Sequence, residues 1–265
     1  MMTQTQDDMQ TQEDVLDVAR ADALRVTLDL QEPILDGDPL PPFFHYAYFW
    51  QPILAADLGR DGHPKVGGFI PDMGLPRRMW AGGRLEFLTP LIAGRPAQKR
   101  STVLKSERKT GRSGPLGFVT ISHEIWQDGQ CALREEQDLV YREEAKQSTP
   151  SAPKMADTDH SVETREFSTT QLFRYSALTF NGHKIHYDRE YASEVEGYNG
   201  LVVHGPLLAQ YLMLMGNQRL NGLSYFDFRG TSALLDHEPA TFHWDGGRCW
   251  VSAPDGRLCM QAQAR

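Results

Sequence analysis

Cysteine is scarce in this chain of 265 residues. Cys131, Cys249 and Cys259 are too few and too scattered for a disulfide framework or a zinc cluster, and a reducing compartment suits them. No uninterrupted apolar run of about 18 residues occurs, so no segment reads as a membrane-spanning helix. Positive charge is in deficit: the formal net charge is -8 and the pI about 5.6. Phosphate-backbone recognition needs a positive field, so a general nucleic-acid partner is excluded and any contact with an anionic ligand must be local. The opening stretch MMTQTQDDMQTQEDVLDVAR lacks the basic and apolar regions of a secretory signal, and it is not an arginine-rich, acid-poor transit peptide. A soluble, cytoplasmic protein is expected.

The length suffices for a large core, since a chain of this size buries roughly 70 to 75% of its unfolded surface. The first dozen residues are polar enough to read as disordered, and residues 1–30 as a flexible amino terminus. A second polar stretch, EEAKQSTPSAPKMADTDHSVETRE, reads as a linker over 143–166. It divides the chain into halves of similar layout, 31–142 and 167–265. In the first, FFHYAYFWQPILAADLG precedes a Gly/Pro-rich loop and strand-like runs, two of which flank the hairpin signal QDGQ. In the second, VVHGPLLAQYLMLMG precedes ATFHWDGGRCWVSAPDGRLCMQAQA, where DGG and APDG punctuate an antiparallel meander. Leu207 to Met215 is apolar nearly all round, the pattern of a helix buried on every side, with Pro206 suited to its start and Gly216 to its stop. A buried helix followed by a meander, twice over, predicts an α+β fold of the double-hotdog kind.

The segment FNGHKIHYD, from Phe180 to Asp188, crowds histidines, an asparagine and an aspartate around a glycine turn. The first backbone N–H groups of the buried helix have no partner within it; Pro206 contributes none, leaving those of Gly205, Leu207 and Leu208 to meet a developing negative charge such as a thioester oxygen becoming an enolate. A histidine loop folded against that start would bring His186 as a base near neutral pH and Asn181 as donor and acceptor, parts that suit proton transfer beside a carbonyl or water addition to a conjugated one. Plainer readings stand beside these. His186 can be a hydrogen-bonded strand-end histidine, His204 a structural one at the helix start, Asn181-Gly182 an ordinary turn, and Asp188 the N-cap of a short helix through Ala192. His183, His186, Asp188 and His204 are all capable metal ligands, but their spacing matches no defined zinc or non-haem iron signature, and no metal is expected.

SALTFNGHKIHYDREYASEVEGYNGLVVHGPLLAQYL resembles the active-site segment of the MaoC-like hydratases and dehydratases, whose pattern is G-D-x-N-P-x-H-x-D followed by a helix entered through a glycine. The type 2 hydroxyacyl-thioester dehydratases are the most similar subfamily, and GHPKVGGFIPDMGLPRRMWAGGRLEF resembles their first hotdog. The resemblance covers nearly all of the chain after about residue 30. It implies that His186 falls on the catalytic histidine, Asn181 on the catalytic aspartate, and Gly205 on the oxyanion-binding glycine, with His204 and Asp188 in support. Asn181 departs from the broader pattern, because an amide cannot accept a proton as a carboxylate does. One active site per chain is implied, since the first half carries no counterpart of the histidine loop; its part would be to complete the substrate tunnel and the dimer.

The resemblance further implies a thioester substrate, with coenzyme A entering as part of it and no separate cofactor, and a homodimer. Arg78 with Trp80, Arg229, and Val203 before the helix are candidates for substrate contact, the arginines because a guanidinium matches a carboxylate bidentately. Surface charge beside a packed tryptophan is the plain alternative for Arg77, Arg78 and Trp80. A short, branched, dicarboxylic enoyl-CoA, mesaconyl-C4-CoA (3-methylfumaryl-CoA) or itaconyl-CoA, is the leading substrate for a hydratase. Dehydration of 3-hydroxyacyl carrier protein, non-catalytic acyl-CoA binding and, more remotely, thioester hydrolysis are the other functions weighed.

Overall fold

The computed structural model describes residues 9–111, 114–143 and 153–265. The first half contributes β1 (Met9–Val15), α1 (Val18–Thr27), β2 (Arg77–Phe87), β3 (Pro96–Gly111), β4 (Gly114–Gln127) and β5 (Gln130–Arg142). The second contributes β6 (Ser161–Arg165), α2 (Thr169–Leu178), α3 (Gly205–Leu220), β7 (Tyr225–Gly230), β8 (Ala240–Asp245), β9 (Arg248–Ser252) and β10 (Leu258–Ala264). All pair antiparallel in one ten-stranded sheet, ordered β1-β3-β4-β5-β2-β7-β10-β9-β8-β6. The two half-sheets join where β2 meets β7, from Gly82 opposite Arg229 to Glu86 opposite Tyr225.

The strands follow from alternation: along β4 every second side chain, Val119, Ile121, His123 and Ile125 among them, turns inward. Both hairpin signals close tight turns, Asp128-Gly129 between β4 and β5 and Gly246-Gly247 between β8 and β9. Helix α3 fills the wrap of the sheet and is buried on all sides, Leu207, Leu208, Leu212 and Met213 included. It does not stop at Gly216, where the missing side chain admits Ala264, Leu223 and Trp244; it runs to Leu220 and ends on left-handed Asn221. In the first half the aromatic segment makes one 3-10 turn, Phe44–Ala47, in place of a long helix, and α1 joins it in the same core.

The amino-terminal residues overturn their expectation from Met9 onward. β1 is an edge strand against β3, so its polar alternation is that of a half-solvated strand, and Asp17 caps α1 through Arg20 N at 2.9 Å. Leu16, Ala21 and Leu24 are sealed in the core, which composition averaged over the stretch concealed. Residues 1–8 lie outside the described residues. So do 144–152 of the expected linker; its remainder is built into the second half, Lys154 O accepting from Leu258 N and β6 pairing with β8.

Candidate active site at the start of the buried helix

The histidine loop leaves α2 through Phe180, a bulky residue held at φ 51°, and is pinned there by the first half: Trp50 stacks on Phe180 at 5.3 Å and donates from Nε1 to Leu178 O at 3.1 Å. Asn181 Oδ1 accepts from His183 N at 3.0 Å, a local turn bond that occupies this oxygen. Asp188 caps the turn that follows, Oδ1 accepting from Tyr191 N at 2.9 Å. A 3-10 turn, Lys184–His186, then carries the His186 ring inward to 6% exposure.

Two contacts fix that ring. Its Nδ1 donates to Val202 O at 2.7 Å, which leaves Nε2 as the free lone pair of a neutral imidazole. Its face stacks on His204 with centroids 3.6 Å apart and planes 17° apart. His204 immediately precedes α3, so His186 lies against the helix start. His204 bonds Ser176 Oγ through Nε2 at 2.8 Å, while its buried Nδ1 has no partner. Burial pushes the His186 imidazole down to about 4, against the Val202 bond that favours its charged form. Burial, with the neighbouring His186 and His183, holds His204 far below the ordinary range as well. Both rings are neutral at pH 7.

At the helix start, Leu207 N and Leu208 N both donate to His204 O, at 3.1 and 3.2 Å, so they are not available as expected. Gly205 N–H makes no hydrogen bond among the described residues and remains for a ligand. Trp80 packs on this glycine, where a Cβ would lie 3.0 Å from its Cε3; its other face meets Phe228 at 4.5 Å, and its buried Nε1 is unpaired. Val203 is in the core, its N–H donating to Leu234 O at 2.9 Å.

The two arginine candidates part company. Arg78 stands opposite the buried Tyr141 on the inner side of the sheet, and its charge acts on Asp61, His63 and His183. It forms no ion pair among the described residues. Its neighbour Arg77 is spent on Glu196 at 2.7 Å. Arg229 alternates with the buried Phe226 and Phe228 and so points to the other face. There it borders the largest cavity, about 900 Å³, which straddles the seam between β2 and β7. That groove holds none of the histidines, and its charges largely satisfy one another, as in Arg84 with Glu136 and Asp138. The chemistry is at the histidines.

A match to the family model described as hydroxyacyl-thioester dehydratase type 2 spans residues 43–236, about three quarters of the chain. The chain belongs to the type 2 hydroxyacyl-thioester dehydratases. Over 94% of its length it is 42% identical to the mesaconyl-C(4)-CoA hydratase of Chloroflexus aurantiacus, covering 92% of that protein. It is 26% identical to the mitochondrial hydroxyacyl-thioester dehydratase type 2 of Schizosaccharomyces pombe, covering 85% of this chain and 86% of that one. Among solved structures, HtdX of Mycobacterium tuberculosis superposes with a TM-score of 0.70 at 14% identity, covering 97% of this chain and 99% of that one. A second protein from that organism, described as a double hotdog, gives 0.60 at 11%, covering 96% and 94%. At those identities the two structures show the fold, which is the expected double hotdog. Relatives named for hydration and dehydration make this type 2 dehydratase-family chain a hydro-lyase.

The structure also brings to this type 2 site two residues that the sequence reading passed over. Asp61 and His63 sit in the Gly/Pro-rich loop of the first half. Lys184 N donates to Asp61 O at 2.9 Å, and the loops touch backbone to backbone: a Cβ on Gly62 would lie 2.0 Å from Gly182 O. His63 then faces His183 with centroids 4.4 Å apart, and His183 faces His186 at 5.5 Å. Burial, followed by the charges of His63 and His186, pushes His183 down to about 2. Asp61, His63 and His183 each bring one donor atom within 4.8 Å of the others. Two of the three are already bonded to each other, His63 Nδ1 with Asp61 Oδ2 at 3.0 Å, which is the geometry of a carboxylate-oriented imidazole. The signal in the sequence was the short D-G-H spacing; only the docked loops show what it faces.

Proposed function

We propose that this chain catalyses the reversible addition of water to a short, branched, dicarboxylic enoyl-CoA, with mesaconyl-C4-CoA foremost and itaconyl-CoA the next substrate to test. The observation that carries the reading is the fixed, neutral His186 ring at the start of α3, its Nδ1 committed to Val202 O and its Nε2 open. In hydration, Nε2 takes a proton from water as the oxygen bonds the β-carbon. The alkene pair moves onto the α-carbon and the thioester oxygen, where Gly205 N–H meets the growing charge. A proton returned to the α-carbon completes the turnover, and the reverse sequence dehydrates a 3-hydroxyacyl thioester. Asn181 helps to hold the water through its amide N–H₂, since its oxygen is occupied. Arg78, unpaired beside the histidines, receives the second carboxylate of the acyl group.

Coenzyme A enters as the carrier of the substrate, and the scheme calls for neither a metal nor another cofactor. The working unit is a cytoplasmic homodimer, which light scattering on the purified protein tests for assembly. For the activity, loss of enoyl absorbance is followed with mesaconyl-C4-CoA, itaconyl-CoA and crotonyl-CoA. Preferential turnover of the dicarboxylic thioesters is expected. Turnover of crotonyl-CoA alone would remove the dicarboxylic reading, and binding with no change in absorbance would replace hydration by acyl-CoA binding. 3-Hydroxyacyl carrier protein as the better substrate would move the assignment to the carrier-protein dehydratase.

A further inference from the structure

Asn181 leaves the site short of a proton-transfer group. Its amide cannot take a proton, and its oxygen already accepts from His183 N. His186 by itself is also a poor place for a proton to rest: once charged it would be an imidazolium in full burial, beside the Val202 carbonyl and a stacked neutral His204. Of the carboxylates, Asp61 alone has a field that reaches the rings of His63 and His183. It is held below the ordinary carboxylate range: burial opposes this, and the hydrogen bond and charge of His63, with Arg78 beyond, overcome it. Asp61 binds His63 twice, Oδ2 at Nδ1 and Oδ1 at the backbone N–H, both at 3.0 Å. With Nδ1–H donated to the carboxylate, Nε2 of His63 is the free base, as in other carboxylate-imidazole pairs.

We propose that His63, held by the positioning residue Asp61, is the second proton-transfer group of the site, contributed by the first half and meeting His186 across His183. The proposal rests on the hydratase reading above. In hydration, an O–H bond of water breaks, its proton passes to His186 Nε2, and the C–O bond forms at the β-carbon as the alkene pair moves to the α-carbon and the thioester oxygen. The proton crosses from His186 to His63, where its charge faces the Asp61 carboxylate. The α-carbon pair then takes a proton from the imidazolium, the C–H bond forms, and both rings are neutral again. No oxidant, reductant or other co-reactant enters. This gives the first half a chemical task at a site whose other residues come from the second.

The test uses the full chain and mesaconyl-C4-CoA, or whichever thioester the panel selects, with kcat and KM measured for His63→Ala and Asp61→Asn. Asparagine at 61 retains an oxygen for His63 N and the backbone oxygen for Lys184 N, so the loop stays docked while the charge is lost. The expected result for His63→Ala is a fall in kcat of about 10²-fold, the low end of what an acid-base group contributes, with KM little changed. Imidazole in the buffer restores part of that rate, because His63 and Asp61 are 21% and 19% exposed and admit it. Asp61→Asn lowers kcat by about tenfold or more, the size of effect that follows when an imidazole loses its orienting carboxylate. Should His63→Ala not fold by circular dichroism, His63→Gln takes its place. Wild-type kcat in either folded variant overturns the proposal. So does wild-type turnover that is lost on chelation and restored by Zn²⁺, which would assign Asp61, His63 and His183 to a metal. A wild-type chain inactive on every thioester removes the hydratase reading and this proposal with it, whereas an active wild type with unaffected variants removes this proposal alone.

Discussion

Each half buries a cluster of histidine, tyrosine and amide or carboxylate groups, yet the two clusters are finished differently. In the first half the Glu135 carboxylate, 2% exposed, accepts from Tyr46 Oη at 2.9 Å and Gln137 Nε2 at 3.1 Å on one oxygen and bonds His45 Nε2 at 2.9 Å on the other. His123 bonds Ser101 nearby at 2.7 Å. Burial pushes the Glu135 carboxyl up, and the bond and charge of His45, with His123 and Gln137, bring it down to about 2. In the second half His186 Nε2 is open, His204 Nδ1 and the Tyr175 hydroxyl are buried without partners, and Phe180 holds a left-handed backbone. A buried polar group left unpaired costs about 1 to 3 kcal/mol, and a chain tolerates that where a substrate or water supplies the missing partner. The satisfied cluster stabilises; the unfinished one is placed to react.

Exchange of the two roles by mutation would break this contrast, and the largest effect is expected at His186. His186→Ala lowers kcat by about 10³-fold, within the range for loss of an acid-base group, and leaves the thermal midpoint nearly where it was. Near-normal turnover in that variant would move the site elsewhere. Glu135→Ala does the reverse. It strips a buried carboxylate from His45 and Tyr46, costs about 3 to 5 kcal/mol, and lowers the midpoint on the order of 10 °C by calorimetry, with kcat retained at low temperature.

Acid sharpens the comparison further. His186 and His123 are held at about 4 when folded and titrate near 6.5 when unfolded. The unfolded chain therefore binds more protons between pH 6.5 and 4. Stability is full above that window and falls within it as pH drops, by up to about 1.4 kcal/mol per pH unit for each histidine. Glu135 acts lower: its contribution is present above the unfolded carboxylate value near 4.3 and is lost as pH falls through about 2. Denaturant titrations from pH 7 to 4 should show the histidine-driven loss first. An unchanged midpoint down to pH 5 would contradict the burial of these rings.

The smallest effect separates the two arginines. Arg78→Ala should raise KM for a dicarboxylic thioester by about tenfold or more, through loss of a charged hydrogen bond of about 1.5 to 3 kcal/mol, and leave crotonyl-CoA unaffected. Arg229→Ala, on the other face of the sheet, should leave KM for both within about twofold, as for an exposed charge. Equal effects of the two variants would dissolve the distinction between the faces.

Periodicity and turn chemistry were enough to read the meander, the hairpins at Asp128-Gly129 and Gly246-Gly247, and the helix buried on every side from Leu207. These are local properties, fixed by which residues recur at a period of two or along a turn. The resemblance in FNGHKIHYD also placed His186, Asn181 and Gly205 as neighbours. What it could not yield was partnership across the fold. β1 and α1 were hidden because an edge strand and a capped helix look polar until their few apolar residues find a core. Arg78 and Arg229 look alike in sequence, and only strand register sends one inward and the other out. Asp61 and His63 lie about 120 residues from the loop they meet, and two glycines pressed backbone to backbone bring them there. Sequence by itself determined the elements and the chemical inventory; tertiary packing decided which groups are paired, which are left open, and hence where a proton can go.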